Sequence, residues 1–401
     1  MFQAYFAFIA SNWRGLLFGA ALMGLSSFGQ TYYVALFGQH FRAAFDLSDG
    51  GLGALYAFGT VASALTLTWV GRLLDRTTVR TYSWMTAALL SIACLAVAAA
   101  PGALFLAAGF YLLRLGGQGL MVHTALTATA RAFPAESGRA LGIVALGFTL
   151  AQAVFPALAV ALIAAFGWRG AWALSAGLVL AGMALATRFL PPRPAEVADL
   201  AERTAALAQA KSAPLWRDRR LHVTMPAILA APFFGTGFFF HQARLVTEKG
   251  WTLEWLAGWF AAFAAVQAIT YVGIGPVIDR LGPRRLLPVF LAPFALGLFA
   301  LAVSDSPWVA PVYLVLSGVS SAIAGTLATA LWVQLYGPER LAGVRSTVEA
   351  ALVIASGASP ILMGVLIDRG IPLSAQAGGA ILYMLAASLL AARIPGAKRE
   401  G

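Results

Sequence analysis

Cysteine is almost absent: Cys94 is the only one in 401 residues, and it lies in an apolar run. No disulfide can close within one chain, and no thiol pair is available for metal or redox chemistry. Charge is scarce as well, at 11% of residues against about 25% in an ordinary soluble domain. The four histidines show no ligand spacing and no His-Glu-x-x-His occurs, so a metal enzyme is disfavoured and no cofactor is expected. The lack of a P-loop argues against ATP-driven pumping by this chain alone. No nucleophile and base stand together at a depth that suits a membrane acyltransferase or protease. These gaps together point away from an enzyme.

What the chain has instead is apolar surface, with 60% hydrophobic residues and a mean hydropathy of +0.80. The expected fold class is an all-α integral membrane protein. Twelve apolar segments fall at roughly 15–38, 50–71, 80–100, 102–130, 138–166, 168–189, 222–245, 253–275, 285–304, 307–335, 341–367 and 373–393. Each suffices to cross a hydrocarbon core about 30 Å thick. The opening MFQAYFAFIA has no basic n-region and reads as a short amphipathic lead-in rather than a cleaved signal.

The net charge of +11 is spread over short loops, which fits membrane orientation better than nucleic-acid binding. With the N-terminus taken as cytoplasmic, that side holds Arg14; Arg72, Arg76, Arg80; Arg131, Arg139; seven basic residues from Arg188 to Arg220; Arg280, Arg284, Arg285; Arg340, Arg345; and Arg393, Lys398, Arg399, making 21. The other side holds five, namely Arg42, Arg169, Arg244, Lys249 and Arg369. The bias puts both termini in the cytoplasm. Arg114, in YLLRLGGQGLMVH, belongs to neither side.

The longest polar interval divides the chain into an N-terminal six-helix bundle (1–189), a cytoplasmic linker (190–221) and a C-terminal six-helix bundle (222–401). A single offset of 204 relates the halves: Asp75-Arg76 falls on Asp279-Arg280, Gly71 on Gly275, Pro134 on Pro338 and Pro156 on Pro360. Parallel six-span repeats are a transporter architecture, with substrate bound near the midplane.

The loop GRLLDRTTVR, its repeat GPVIDRLGPRR and the fourth-segment RLGGQG together resemble the signatures of the major facilitator superfamily. The resemblance covers the whole chain and implies a secondary active transporter working by alternating access. A softer likeness to monocarboxylate and oxalate-type members is carried by ESGRALGIVALG and FGWRGAW. Three departures stand out. Thr77-Thr78 occupies a place where glycine is common, Gln118 comes four positions after Arg114 so that the motif is stretched by one residue, and AQAVFPALAV replaces the antiporter motif GPxxGG. Gly71, Asp75, Arg76, Asp279 and Arg280 are read as gating or structural residues, since a helix-end carboxylate can face an arginine or a helix N-terminus.

Polar groups inside the membrane are costly and therefore candidates for function. Helical spacing places Gln118 one turn from Arg114, with Met121 and Ala125 on the same stripe, and sends His123 to the opposite face, toward a packing role. Ser26, Gln30 and Tyr33 share a face that either lines a polar pathway or serves helix contact; Gln267 and Tyr271 pose the same choice. Trp332 is packing or an aromatic wall. Glu349 is the one carboxylate within a span and away from the signature loops, either a proton carrier or a partner of Arg345 one turn away. His241 either takes a proton or is an interfacial histidine.

The expected substrate-binding set is thus Arg114, Gln118, Gln30, Tyr33, Gln267, Tyr271 and Trp332, with Glu349 and His241 for proton coupling. An unpaired guanidinium at mid-depth favours an anionic ligand, with bridging to a proton-carrying partner such as Glu349 as its other role. The expected function is proton-coupled transport of a small organic anion such as a monocarboxylate, by a monomer in a bacterial-type inner membrane. The alternative is proton-driven efflux of drug-like amphipathic compounds. A channel fits the paired loop signatures less well than a carrier.

Overall fold

Every apolar run folds as helix, because in hydrocarbon each backbone N–H and C=O must be satisfied within its own segment. The computed structural model describes residues 2–134, 136–190 and 218–394, and no strand occurs among them. Among the described residues ten helices are long and apolar enough to span a membrane. One of these, Ser137–Phe189, reverses at Gly167 (φ 67°, ψ 170°) and supplies the fifth and sixth spans. The shorter Ala292–Val303 is the ninth, which completes twelve. Large apolar side chains such as Leu104 (80% exposed) and Val272 (78%) stand on the outside, as a hydrocarbon surrounding requires.

The chain divides into two compact units, Met1–Val197 and Ala198–Gly401. Most of the expected linker, residues 191–217, lies outside the described residues. Its last three, Arg219, Arg220 and Leu221, belong to the seventh span, Arg219–Phe240, which Asp218 caps by accepting from the Arg220 N–H.

The 204-residue offset holds residue for residue in the turns that lead from the first span to the second and from the seventh to the eighth. Short helices run over Gly38–Phe45 and Gln242–Lys249. They end on left-handed caps at Asp46 (φ 50°) and Gly250 (φ 67°). Ser48 Oγ then accepts from the Gly51 N–H at 3.0 Å, and Thr252 Oγ1 from the Trp255 N–H at 3.2 Å, each starting the next helix. Such caps satisfy N–H groups that have no partner in a helix's first turn. The Thr77-Thr78 departure has the same explanation: Thr78 caps the third span, Val79–Ala98, while Gly282 (φ 80°) and Pro283 start the matching helix.

The first span differs from expectation. Its helix runs over Phe2–Leu25, so residues 2–10 of the expected lead-in are the start of that helix rather than a separate element. It tightens to 3₁₀ over Ser26–Gly29 and breaks at Gln30, which is extended (φ −89°, ψ 151°), before short helical turns resume at Thr31. A glycine beside two serines is a common cause of such a break, and hydropathy does not register it. Against the break packs the fourth span, Ala103–Ala132, which winds as a π-helix over Arg114–Met121. The residue that stretches the RLGGQG motif is taken up in this wider turn, a feature frequent at functional sites. Both departures belong to the N-terminal unit; the seventh and tenth spans run as α-helix through the matching positions.

Contact here needs glycine. A Cβ on Gly29 would stand 2.1 Å from the Leu113 carbonyl oxygen, and one on Gly117 2.6 Å from the Gly29 Cα. Gly29→Ala is therefore expected to destabilise the unit by about 1–3 kcal/mol through overpacking. Gly138→Ala, with nothing within 4 Å, is the control. Thermal unfolding of the purified variants in detergent checks the difference.

Candidate functional site

Arg114 is buried, at 4% exposure, at the start of the π segment. Its Nη1 donates to the Gly29 carbonyl at 3.4 Å and to Thr31 Oγ1 at 3.5 Å, both long, and its Cζ lies 5.2 Å from the centre of the Tyr56 ring. Tyr56 itself donates to Thr31 Oγ1 at 2.7 Å. Nε has no partner, and among the described residues no carboxylate pairs with this cation. The break of the first span thus presents a carbonyl and a hydroxyl to the guanidinium, and neither neutralises it. Isolated charge within a span costs roughly 2.5–3.5 kcal/mol on insertion scales.

Gln118 is half-buried on the same segment, and Met121 and Ala125 are fully buried. His123 packs against the signature glycine: a Cβ added to Gly71 would lie 3.6 Å from its Nε2. The expected stripe of Ser26, Gln30 and Tyr33 does not form, because the helix breaks between its members. Ser26 turns back onto the Met23 carbonyl at 2.7 Å and Gln30 sits half-buried at the break. Tyr33 is fully buried, bonded to Ser175 Oγ at 2.8 Å amid Phe28, Phe37 and Trp172.

In the C-terminal unit a cavity of about 280 Å³ opens among the seventh, ninth, tenth and eleventh spans. Trp332, Arg345 and Glu349 line it, with Phe239, Tyr313 and Ser321. Arg345 and Glu349 are exposed and form no ion pair among the described residues, so the expected alternative of a mutual pair is not realised. Gln267 is buried and donates to Ser321 Oγ at 3.3 Å, which puts it behind the cavity wall. Tyr271, one turn on, is 42% exposed and does not share that environment. His241 is buried, and its Nε2 donates to the Pro360 carbonyl at 2.9 Å.

The two signature loops are not equivalent. Asp75, on the 3₁₀ turn Gly71–Arg76, forms an ion pair with Arg131 at the end of the fourth span, while Arg76 is exposed. The residue 204 positions after Arg131 is Leu335, so Asp279 lacks the matching partner, and both Asp279 and Arg280 are exposed. The Leu335 carbonyl instead accepts from Arg220 at 2.8 Å. Burial alone would raise the Asp218 carboxyl, but hydrogen bonds from Arg220 outweigh it and hold it below the usual carboxylate range.

Sequence reasoning missed Gly29, Thr31 and Tyr56 around Arg114, Arg131 opposite Asp75, and Tyr313 in the cavity. The Ser-Ser-Phe-Gly run was the one local signal for the break; the others are brought in from distant spans and carry none.

The model of the Major Facilitator Superfamily matches residues 16–261 and 250–400. A bacterial homologue of the human lysosomal transporter Spinster, in an inward-facing and occupied conformation, is similar at 18% identity and a TM-score of 0.70, over 94% of this chain and 95% of that one. The nucleoside transporter NupG is similar at 12% identity and a TM-score of 0.68, over 94% and 96%. At such identities the likeness establishes the fold. No curated protein matches the sequence.

The Asp75–Arg131 pair is partly open to solvent, with side chains 58% and 28% exposed. A double-mutant cycle with Asp75→Asn and Arg131→Gln is expected to give a coupling of about 0.2–1 kcal/mol in unfolding measurements, shrinking as salt is raised.

Proposed function

Because the chain belongs to the major facilitator superfamily, we propose that it moves a small organic anion, such as a monocarboxylate, together with a proton, and that Arg114 holds the anion. Membership itself makes the chain a secondary transporter working by alternating access rather than an enzyme. The observation that carries the anion reading is a buried guanidinium with no carboxylate partner among the described residues, held by two long hydrogen bonds and the Tyr56 ring, with Nε unpartnered. A ligand carboxylate supplies the missing charge and the planar geometry that a guanidinium fork prefers. Gln118 and Gln30, both half-buried beside this point, complete the polar surroundings.

For the proton, Glu349 is the better placed of the two candidates, since it lines a cavity while His241 Nε2 is engaged by Pro360. A bound proton adds driving force and offsets the anion's charge. The Asp75–Arg131 pair supports a gating role for the first signature loop, where it ties the loop to the fourth span. The loop-charge bias supports cytoplasmic termini in a bacterial-type inner membrane. A second reading, efflux of drug-like amphipathic compounds, is favoured by the largely apolar wall of the C-terminal cavity.

Uptake of a radiolabelled monocarboxylate into proteoliposomes under an imposed proton gradient tests the proposal. Saturable, gradient-dependent uptake is expected. Arg114→Lys keeps charge but loses the fork and is expected to lower uptake about tenfold, in line with one lost charge-assisted hydrogen bond. Arg114→Gln is expected to abolish it. Normal uptake by Arg114→Gln removes Arg114 from the site. Absence of proton-dependent carboxylate uptake, with drug sensitivity in cells lacking the protein, selects the efflux reading.

A further inference from the structure

Arg345 and Glu349 lie one helical turn apart, both line the 280 Å³ cavity of the C-terminal unit, and neither has an ion-pair partner among the described residues. Their order along the helix disfavours closing on each other, since the acidic residue pairs better when it comes first. Tyr313 lines the same cavity at 2% exposure, and its hydroxyl has no partner. A buried hydroxyl left unpaired costs about 1–3 kcal/mol, so a ligand atom that meets it binds with advantage. The remaining wall is aromatic and apolar, with Phe239, Phe294 and Trp332.

We propose that this cavity binds a zwitterion: an ammonium group at Glu349, a carboxylate at Arg345, and an apolar or aromatic body against Trp332 and Phe294, within reach of the Tyr313 hydroxyl. A simple anion would place its carboxylate beside the charge of Glu349, and a simple cation would leave Arg345 unanswered. A zwitterion neutralises both. The volume is close to the lower end of ligand pockets, about 300 Å³, so the ligand is of amino-acid size. An ammonium group and a proton neutralise the same carboxylate, so the bound ligand takes the place of a proton on Glu349. This site uses no residue of the Arg114 pocket and goes beyond the anion reading.

Three probes of one size separate the cases: phenylalanine, 3-phenylpropionate and 2-phenylethylamine, titrated at neutral pH against the purified full-length protein. Phenylalanine is expected to bind at least about tenfold more tightly than either singly charged probe, the worth of one charge-assisted hydrogen bond. Glu349→Gln is expected to bring phenylalanine down to the affinity of 3-phenylpropionate, and Arg345→Gln to that of 2-phenylethylamine. Glu349→Asp keeps the charge and is expected to keep the preference, which separates lost pairing from lost folding. Equal affinities for the three probes, no binding of any, or a preference that survives Glu349→Gln overturns the proposal. The reading at Arg114 is judged by carboxylate uptake, so either can fail alone.

Discussion

The backbone contact between Gly29 and Gly117 is the constraint on which the N-terminal unit depends. Two spans can come this close only where neither carries a side chain, and there the first span gives up its helix and the fourth widens to a π turn. The break turns a peptide carbonyl away from its own helix, and Arg114 on the facing span meets it. The chain beyond the break then packs inward, so that Tyr33, Phe37 and Phe41 build an aromatic core against Trp172. The glycine contact is what sets the Gly29 carbonyl and the Thr31 hydroxyl beside Arg114.

The internal repeat makes that arrangement interpretable. Caps, left-handed turns and helix starts recur at one offset, which is what two copies of one folding unit should retain, since each meets the same orphan N–H and C=O groups at its ends. The middles of the spans are free to diverge. Arg114 falls on Gly318, where a Cβ would stand 2.9 Å from Val266 and 3.0 Å from the Phe263 carbonyl oxygen, so the tenth span packs too closely for any long side chain. One unit has therefore placed a cation in a broken-helix pocket, and the other keeps α-helix through the matching positions, beside a largely apolar cavity with both charges on one helix. Division of labour of this kind, a lone cation in one repeat and an aromatic cavity with both charges in the other, is the physical basis of the proposals made above.

Much was legible from residues alone, and the pattern of success follows the range of the forces involved. The twelve apolar runs, the repeat and the loop signatures are local or additive properties. The positions that misled are those where a neighbour on another span decides. Hydropathy gave the first span as one run, 15–38, because a hydrophobic window does not register a helix that breaks where it meets a glycine. Helical spacing put Ser26, Gln30 and Tyr33 on one face, which holds only while the helix is continuous. The same spacing suggested a pair between Arg345 and Glu349, which the structure leaves apart.

By itself the sequence determined that this chain lives in a membrane as helices, that it has two related halves, and that one arginine is unexplained by topology. Transfer of apolar groups from water is nearly additive along a chain, so a linear reading captures it. Only tertiary structure decided what surrounds that arginine. Its carbonyl, hydroxyl and ring come from residues 29, 31 and 56 on two other spans. Packing of buried groups depends on which backbones can touch, and that is a property of the fold rather than of any stretch of sequence.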